Sequence, residues 1–171
     1  ALGGVIHFKT RSPKFKTDSN KTEKVDGFIR HQSALSANIA NICYQKGTKD
    51  FAYLFGVTRS DFGNLRMGAN RYHGFDNFGK ISNYTSIINQ KDSMLVNDKE
   101  EIVPKSGYTQ TDFLWKGMYK ANKYTKLRIN FQYSTTSDVP RIDKMNEYRD
   151  STLRFSEWYY GPQNRTLISL G

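Results

Sequence analysis

Hydrophobic and polar residues alternate strictly along residues 126–134, whose sequence is KLRINFQYS. A period of two predicts a β-strand with one apolar face and one hydrated face. The apolar positions of this strand are Leu127, Ile129, Phe131 and Tyr133.

The preceding segment, residues 108–121, shows a related pattern. Phe113, Trp115 and Tyr119 share one side of an extended chain, with Gly117 between them. Only the short stretch NKYT separates this segment from the next strand. A connection of that length predicts a β-hairpin.

Alternating or aromatic-rich segments elsewhere in the chain predict further strands. Together with the hairpin they make six principal strands, at residues 24–35, 38–46, 51–60, 108–121, 126–135 and 156–170. A short additional β-segment is predicted at residues 3–10. The predicted fold class is therefore all-β, an antiparallel meander.

The connections between the principal strands alternate in length. Short turns at 46–50 and 121–125 alternate with long, apparently irregular segments at 61–107 and 135–152. Alternate connections of a meander lie at opposite ends of the sheet, so tight turns are expected at one end and long loops at the other. Outer-membrane β-barrels have this plan, with short periplasmic turns and long extracellular loops. A soluble β-sandwich with an aromatic core fits the strand pattern equally well.

Aromatic residues with polar tips are candidates for a membrane interface, because their rings are apolar and their tips form hydrogen bonds with water. We predict this role for Trp115 and Tyr119, and for Trp158 and Tyr160 near the C-terminus. Trp158 and Tyr160 share parity with Ile168 and Leu170, so all four are expected on one face. Gly161–Pro162 then marks a bulge or bend, since proline donates no hydrogen bond to a β-ladder.

Composition narrows the possible functions. Of the 171 residues, 37% are hydrophobic and 14% are aromatic, and the net charge is +10. The basic residues are spread along the chain without a groove-binding motif, so we expect no nucleic-acid partner. Cys43 is alone, which excludes an internal disulfide and a cysteine-based metal site. No nucleophile elbow, metal-binding helix motif or phosphate loop is present, so we expect no enzyme activity.

Three stretches resemble a known family. ALGGVIHFKTRSP resembles the end of the plug domain of TonB-dependent outer-membrane receptors. SDFGNLRMGAN and the long stretch from Phe131 to Leu170 resemble early barrel segments of that family. The likeness is greatest to haem and haemoglobin receptors of Bacteroidetes-like bacteria.

The resemblance implies that the chain is a fragment, because such receptors close roughly 22 strands around a plug. Residues 1–12 would be the C-terminal end of the plug domain, 13–23 a linker, and 24–171 the N-terminal part of the barrel, a partial transmembrane β-barrel of about six strands.

The function implied by the resemblance is active transport across the bacterial outer membrane. The TonB–ExbB–ExbD complex would supply the energy, and outer-membrane lipid and lipopolysaccharide would surround the barrel. Haem or haemoglobin-derived iron is the expected cargo, with haem as a transported ligand and not a resident cofactor. A ferric siderophore is the alternative cargo. A surface β-sheet binding or adhesin module is the alternative from another class.

Candidate ligand-binding residues lie in the long segment 61–107. His73 and Tyr72 are residue types that ligate haem iron, and Phe75 and Phe78 lie nearby. Arginines suit haem propionates or an anionic siderophore; those of the predicted outer loops are Arg66, Arg71, Arg141 and Arg149.

The other candidate ligands have structural explanations. His7 and His31 fall in predicted strands, where a structural role is expected. No metal site is predicted, because the spacing of the loop carboxylates matches no calcium motif; these are Asp61, Asp138, Asp143 and Glu147.

Overall fold

The computed structural model describes residues 3–4, 7, 9–17, 23–68, 70 and 74–171. Its strands are β1 (Lys24–Gln32), β2 (Ala37–Gly47), β3 (Phe51–Phe62), β4 (Asn83–Ile88), β5 (Lys91–Val96), β6 (Tyr108–Lys120), β7 (Lys126–Thr136), β8 (Val139–Pro140), β9 (Tyr148–Arg149), β10 (Thr152–Leu153), β11 (Tyr159–Tyr160) and β12 (Asn164–Leu170). The helices are one 3₁₀ turn, Ser33–Leu35, and one α-helical turn, α1 (Ile142–Met145). The prediction of an all-β protein is confirmed.

Six strands form one antiparallel sheet in the order β1-β2-β3-β6-β7-β12. The order follows the chain because the remaining strands belong to the intervening loops. Pairing is long and regular, as between β3 and β6, which pair from Phe51 opposite Tyr119 to Phe62 opposite Tyr108. The antiparallel meander predicted from the alternation is confirmed.

The two ends of the sheet differ in their connections. At one end, here named the turn end, residues 48–50 and 121–125 form tight turns. The Asn122 side-chain oxygen accepts hydrogen bonds from the backbone N–H groups of Tyr124 and Thr125, both at 2.8 Å. The opposite end, here named the loop end, carries the long segments 63–107 and 137–163 and the short connection 33–36. The expected alternation of connection lengths is confirmed.

The large sheet has one apolar face and one polar face, and little conventional core. Among the described residues, Leu54 on the polar face is the largest side chain that is fully buried. Many large hydrophobic residues are exposed instead, including Val25 and Ile168, each 63% exposed. No second large sheet packs on this one in the described part of the chain, where the other ladders are two-stranded.

The segment 61–107 is more ordered than the predicted irregular loop. Strands β4 and β5 form a hairpin from Asn83 opposite Val96 to Ile88 opposite Lys91. Its two turn residues, Asn89 and Gln90, have φ values of 50° and 62°, as a type I′ turn requires. The sequence contains Asn-Gln where this turn usually has Asn-Gly, and its flanking residues alternate weakly, so the hairpin was not predicted.

The base of the same loop is closed by backbone pairing. Arg66 and Ile102 form an isolated antiparallel bridge. On either side of it, Met67 N–H donates to Glu101 O at 2.8 Å and Val103 N–H donates to Leu65 O at 2.9 Å.

The strand predicted at 156–170 is wrong in its first half. Tyr159 and Tyr160 pair with Pro140 and Val139 in a separate ladder, and β12 begins only at Asn164. Pro162 lies between them and supplies no N–H for a continuous ladder. Trp158 and Tyr160 therefore do not share a strand face with Ile168 and Leu170. The interface role predicted for these two aromatics loses its basis in parity and stays a prediction.

Three smaller predictions are also corrected. Strand β1 ends at Gln32, because a 3₁₀ turn follows at Ser33–Leu35. The segment 135–152 contains the short strands β8 and β9 and the helical turn α1. The β-segment predicted at 3–10 is absent from its described residues, which are 3, 4, 7, 9 and 10.

Candidate functional site

The apolar face presents continuous rows of side chains across the sheet. One row crosses all six strands through directly paired residues: Val25, Tyr44, Phe55, Trp115, Phe131 and Ile168. Period-two alternation in each strand puts these side chains on the same side. A contiguous exposed apolar surface of this kind indicates a site of interaction with a protein or a membrane.

Aromatic side chains are concentrated on this face towards the turn end. Phe51 stacks on Tyr119 with ring centroids 4.5 Å apart, and Tyr44 lies 5.9 Å from Tyr53. Trp115 and Tyr119, the two residues predicted at an interface, both lie here and are 38% and 39% exposed. Their contact with a membrane stays a prediction.

Gly117 creates a groove in the apolar face. It lies between Tyr53 and Ile129 in the adjacent strands, and having no side chain it leaves a space flanked by Trp115 and Tyr119. The groove has a volume of about 710 Å³. A Cβ atom at Gly117 would lie 3.0 Å from Cγ2 of Ile129 and would narrow it.

The polar face is crossed by the N-terminal segment, residues 9–17. The Arg11 guanidinium donates two hydrogen bonds to the Asp26 carboxylate, both of 2.7 Å. Lys116 Nζ donates to Thr10 O at 3.2 Å, and Lys16 N–H donates to Thr48 O at 2.9 Å. Lys16 belongs to the predicted linker 13–23, and part of that segment is thus attached to the sheet.

Hydrogen-bonded polar side chains cover the polar face nearer the loop end. Ser134 Oγ donates to Asp112 Oδ1 at 2.6 Å, and Gln110 Nε2 donates to the same carboxylate at 2.9 and 3.0 Å. Asn41 Nδ2 donates to Thr58 Oγ1 at 2.8 Å. Between this cluster and the N-terminal segment is a cavity of about 360 Å³. Its lining includes the charged side chains of Arg11, Asp26 and Asp112 and so differs from that of the groove at Gly117.

Arg141 contacts two aromatic residues at the loop end, Trp158 and Tyr160. Its guanidinium carbon lies 5.6 Å from the ring centroid of Trp158 and 5.3 Å from that of Tyr160, within the range of a cation–π contact. The same guanidinium donates to both oxygens of Asp143, at 3.2 and 2.6 Å. Its backbone N–H donates to Trp158 O at 2.8 Å.

A second group of charges fastens the helical turn α1 to the following chain. The Glu147 carboxylate accepts hydrogen bonds from Lys144 Nζ at 2.8 Å and from Arg154 at 3.0 Å. These bonds lower the pKa of Glu147 below its ordinary value. The hydrogen bonds from Arg141 likewise lower the pKa of Asp143. Both carboxylates are therefore ionised wherever the loop is folded at neutral pH.

Of the predicted ligand-binding residues Arg66, Arg71, Tyr72 and His73, the structure describes Arg66. Arg66 is exposed at the bridge that closes the base of segment 61–107. Arg71, Tyr72 and His73 lie outside the described residues, so their roles stay predictions. His31 is in β1, with Nδ1 3.0 Å from the side-chain oxygen of Asn38, in agreement with a structural role.

No described helix is long and apolar enough to cross a membrane. No group of three or more His, Cys, Asp or Glu side chains in the described ranges is arranged to hold a metal ion. No protein-family model, characterised protein or solved structure matches the chain.

Sequence reasoning missed two features of this arrangement. Arg141 lies 17 residues before Trp158, and no local pattern joins a loop arginine to an aromatic that distant. The attachment of Arg11 to Asp26 was missed for the same reason. The groove at Gly117 could be anticipated from the sequence, because a glycine within an aromatic strand marks a gap or a close approach.

Proposed function

We propose that the six-stranded sheet is part of the wall of a transmembrane β-barrel, with its apolar face towards lipid. The observation that carries the proposal is the continuous exposed apolar row, which crosses all six strands. In water this surface is unfavourable, whereas the hydrocarbon region of a bilayer covers it without cost to the backbone ladders. The alternative of a soluble sandwich lacks support from a covering layer in the described residues.

The polar face supports the same orientation. Large outer-membrane barrels have a polar interior, and in transporters of this type it is occupied by a plug. The N-terminal segment 9–17 is attached to the polar face through Arg11 and Lys116, as the end of a plug would be. The polar side of the sheet is then the lumen, and the apolar side is the lipid contact.

Resemblance and architecture together lead us to a TonB-dependent outer-membrane receptor. In this function the loop end faces outside and receives the cargo, and the turn end faces the periplasm. The TonB–ExbB–ExbD complex moves the plug, so that the cargo enters without any change in its covalent bonds. Haem or haemoglobin-derived iron is the proposed cargo, on the likeness of the barrel segments.

Cysteine labelling in intact cells tests the topology. Cys43 is the single cysteine of the chain and is buried, so Cys43→Ser gives a background for added cysteines. We expect Asn89→Cys, in the β4–β5 turn, to react with a membrane-impermeant maleimide in intact cells. Lys123→Cys, at the turn end, should react only after the outer membrane is permeabilised. Equal labelling of both in intact cells would instead indicate a surface binding or adhesin module.

A hemin titration of the whole receptor in detergent tests the cargo. We expect saturable binding, seen in the Soret band, that weakens in His73→Ala. Unchanged binding in His73→Ala would still support haem as the cargo, but would mean that a residue in another part of the receptor ligates the iron. Absence of saturable binding, with labelling that still shows a barrel, would favour the ferric siderophore over free haem.

A further inference from the structure

The polar face of the large sheet is strongly basic towards the turn end. The alternation of β1, β6 and β7 puts five cations on this half of the face: Lys24, Lys116, Lys120, Lys126 and Arg128. Residues 9–17, which cross the same face, add four cations and no acidic residue. The Asp26 carboxylate is already bound by Arg11. A surface with such an excess of one sign of charge raises the local concentration of anions.

A small cavity lies within this basic region, between the N-terminal segment and strands β6, β7 and β12. Its volume is about 230 Å³, which is below the roughly 300–1,000 Å³ of sites for drug-sized molecules. A cavity of this size takes a small ion or a single chemical group. Its polar side chains come from the N-terminal segment and all three strands: Ser12, Lys116, Arg128, Asn130 and Ser169.

The strand register brings the two cations of the cavity close to each other. Lys116 lies opposite Asn130, which in turn lies opposite Ser169. Arg128 precedes Asn130 by two residues, so it is on the same face and is a diagonal neighbour of Lys116. Diagonal neighbours lie about 7–8 Å apart, within reach of long side chains that hold an ion between them. Lys116 Nζ donates to Thr10 O at 3.2 Å, which leaves its other donors for a ligand.

Neither cation is neutralised by the protein. Within the described part of the chain, Lys116 and Arg128 have no carboxylate within ion-pair distance. Lys116 is also half-buried, and an ammonium group that has lost part of its hydration gains more from an anionic partner than an exposed one does.

We propose that this cavity binds an oxyanion of the phosphate type. The Arg128 guanidinium and the Lys116 ammonium donate charge-assisted hydrogen bonds to its oxygens. The Asn130 amide and the hydroxyls of Ser12 and Ser169 are further donors in the same cavity. A tetrahedral anion accepts from donors on several sides, whereas a planar carboxylate offers two oxygens. The inference goes beyond the proposed function, because it concerns the polar face and does not depend on what covers the apolar face.

Phosphorus NMR of inorganic phosphate tests the site with the whole protein in neutral detergent. The ionic strength is held constant with chloride, and we expect saturable broadening of the phosphate signal. Acetate should displace phosphate at least about tenfold less well, since it makes fewer charge-assisted bonds. Glycerol phosphate distinguishes the sources of the group: displacement equal to that by phosphate indicates a phosphorylated molecule, and no displacement indicates the free ion.

The double variant Lys116→Gln/Arg128→Gln should weaken phosphate binding about tenfold or more, because it removes both charged donors. Its matched control is Lys120→Gln/Lys126→Gln. These two lysines are paired on the same face at the same end of the sheet, but neither lines the cavity. The control removes the same charge, and we expect it to change the affinity by about threefold or less, because solvent and salt screen exposed charges outside the site.

A second readout needs no substitution. Phosphate bound in the cavity would join Ser12 to β6 and β7, so it should slow hydrogen exchange within residues 9–17 and leave the β4–β5 turn unchanged. Broadening that does not saturate, or equal losses in the two double variants, would overturn the site and indicate only general attraction to a basic surface. Labelling of Asn89→Cys and Lys123→Cys tests the barrel separately, so the failure of one proposal is distinguishable from the failure of the other.

Discussion

Arg141 explains why Trp158, Tyr159 and Tyr160 stand together before the Gly161–Pro162 break. The planar guanidinium lies within cation–π distance of Trp158 and Tyr160, and its edge binds Asp143 through two hydrogen bonds. Tyr159 and Tyr160 pair with β8, which directly precedes Arg141. These contacts hold residues 158–160 against residues 139–141 at the loop end.

Arg141→Lys tests this role at the level of one side chain. Lysine keeps the charge but lacks the planar fork that binds both oxygens of Asp143. We therefore expect faster cleavage within 137–163 when the protein is treated with chymotrypsin. Arg149→Lys is the matched control, since Arg149 is exposed and its nearest carboxylate is 3.8 Å away. Equal cleavage rates for the two variants would contradict the role of Arg141.

The pH dependence of the same loop follows from Asp143 and Glu147. Their hydrogen bonds lower the pKa of each carboxyl in the folded loop, so they stabilise folding at pH values above the ordinary carboxyl pKa. That stabilisation is lost as the pH falls below about 4, through the lowered values.

Emission from Trp158 reports the expected change. The difference spectrum between the unsubstituted protein and Trp158→Phe should shift to the red on acidification from pH 7 to pH 3. Asp143→Asn should already give part of that shift at pH 7 and a smaller change on acidification. A difference spectrum that is insensitive to pH would show that these ion pairs do not order the loop.

At the scale of the element, the two faces of strand β3 lie in different environments. Phe51, Tyr53 and Phe55 alternate with Ala52 and Leu54, and only the second set is buried. Leu54 lies on the polar face with no exposed surface. It is the best-packed large side chain of the described sheet.

Leu54→Ala should lower the free energy of unfolding by about 2–5 kcal/mol, because it removes a buried side chain and leaves a cavity. Leu167→Ala is the control on the same face, where Leu167 is 40% exposed. We expect a cost of about 1 kcal/mol or less for the control. Denaturant unfolding of the protein measures both, and similar costs would show that the polar face around Leu54 is open.

The N-terminal segment is attached to β1 by a pair of charges that can be exchanged. Arg11→Asp places two carboxylates together at Asp26 and should detach residues 9–17 from the sheet. The double variant Arg11→Asp/Asp26→Arg restores opposite charges and should restore the attachment. Hydrogen exchange of the segment is the measurement; an exchange rate that the double variant fails to restore would assign the attachment to Lys116 and Lys16 instead.

The principal strands were predictable from the sequence, because β3, β6 and β7 each place large aromatic or aliphatic residues at alternate positions. The alternation in β7 from Leu127 to Tyr133 has no exception. The β4–β5 hairpin was not predictable, since its turn lacks glycine and the positive φ at Asn89 is decided by the surrounding structure. Contacts between distant loop residues, such as Arg141 with Trp158, depend on the fold and leave no local pattern.

At the scale of the whole molecule, charge and apolarity are arranged along two different directions. Apolarity changes across the sheet, from one face to the other, while basic residues gather along the strands at the turn end. The excess of basic residues that gives the net charge of +10 is therefore unevenly distributed over the molecule. The sign follows from composition, but only the pairing of the strands brings the basic residues of segments 46–49 and 120–128 to the same end of the sheet.

The backbone pairing at the base of segment 61–107 also affects the order in which the parts of the sheet fold. Strands β3 and β6 are neighbours in the sheet but are separated by the longest excursion of the chain. Joining them early carries an entropic cost that grows by about 0.6 kcal/mol for each doubling of the intervening length. The β4–β5 hairpin and the Arg66–Ile102 bridge shorten the free length step by step. We expect nucleation at these local contacts to set the rate at which the two halves of the meander pair.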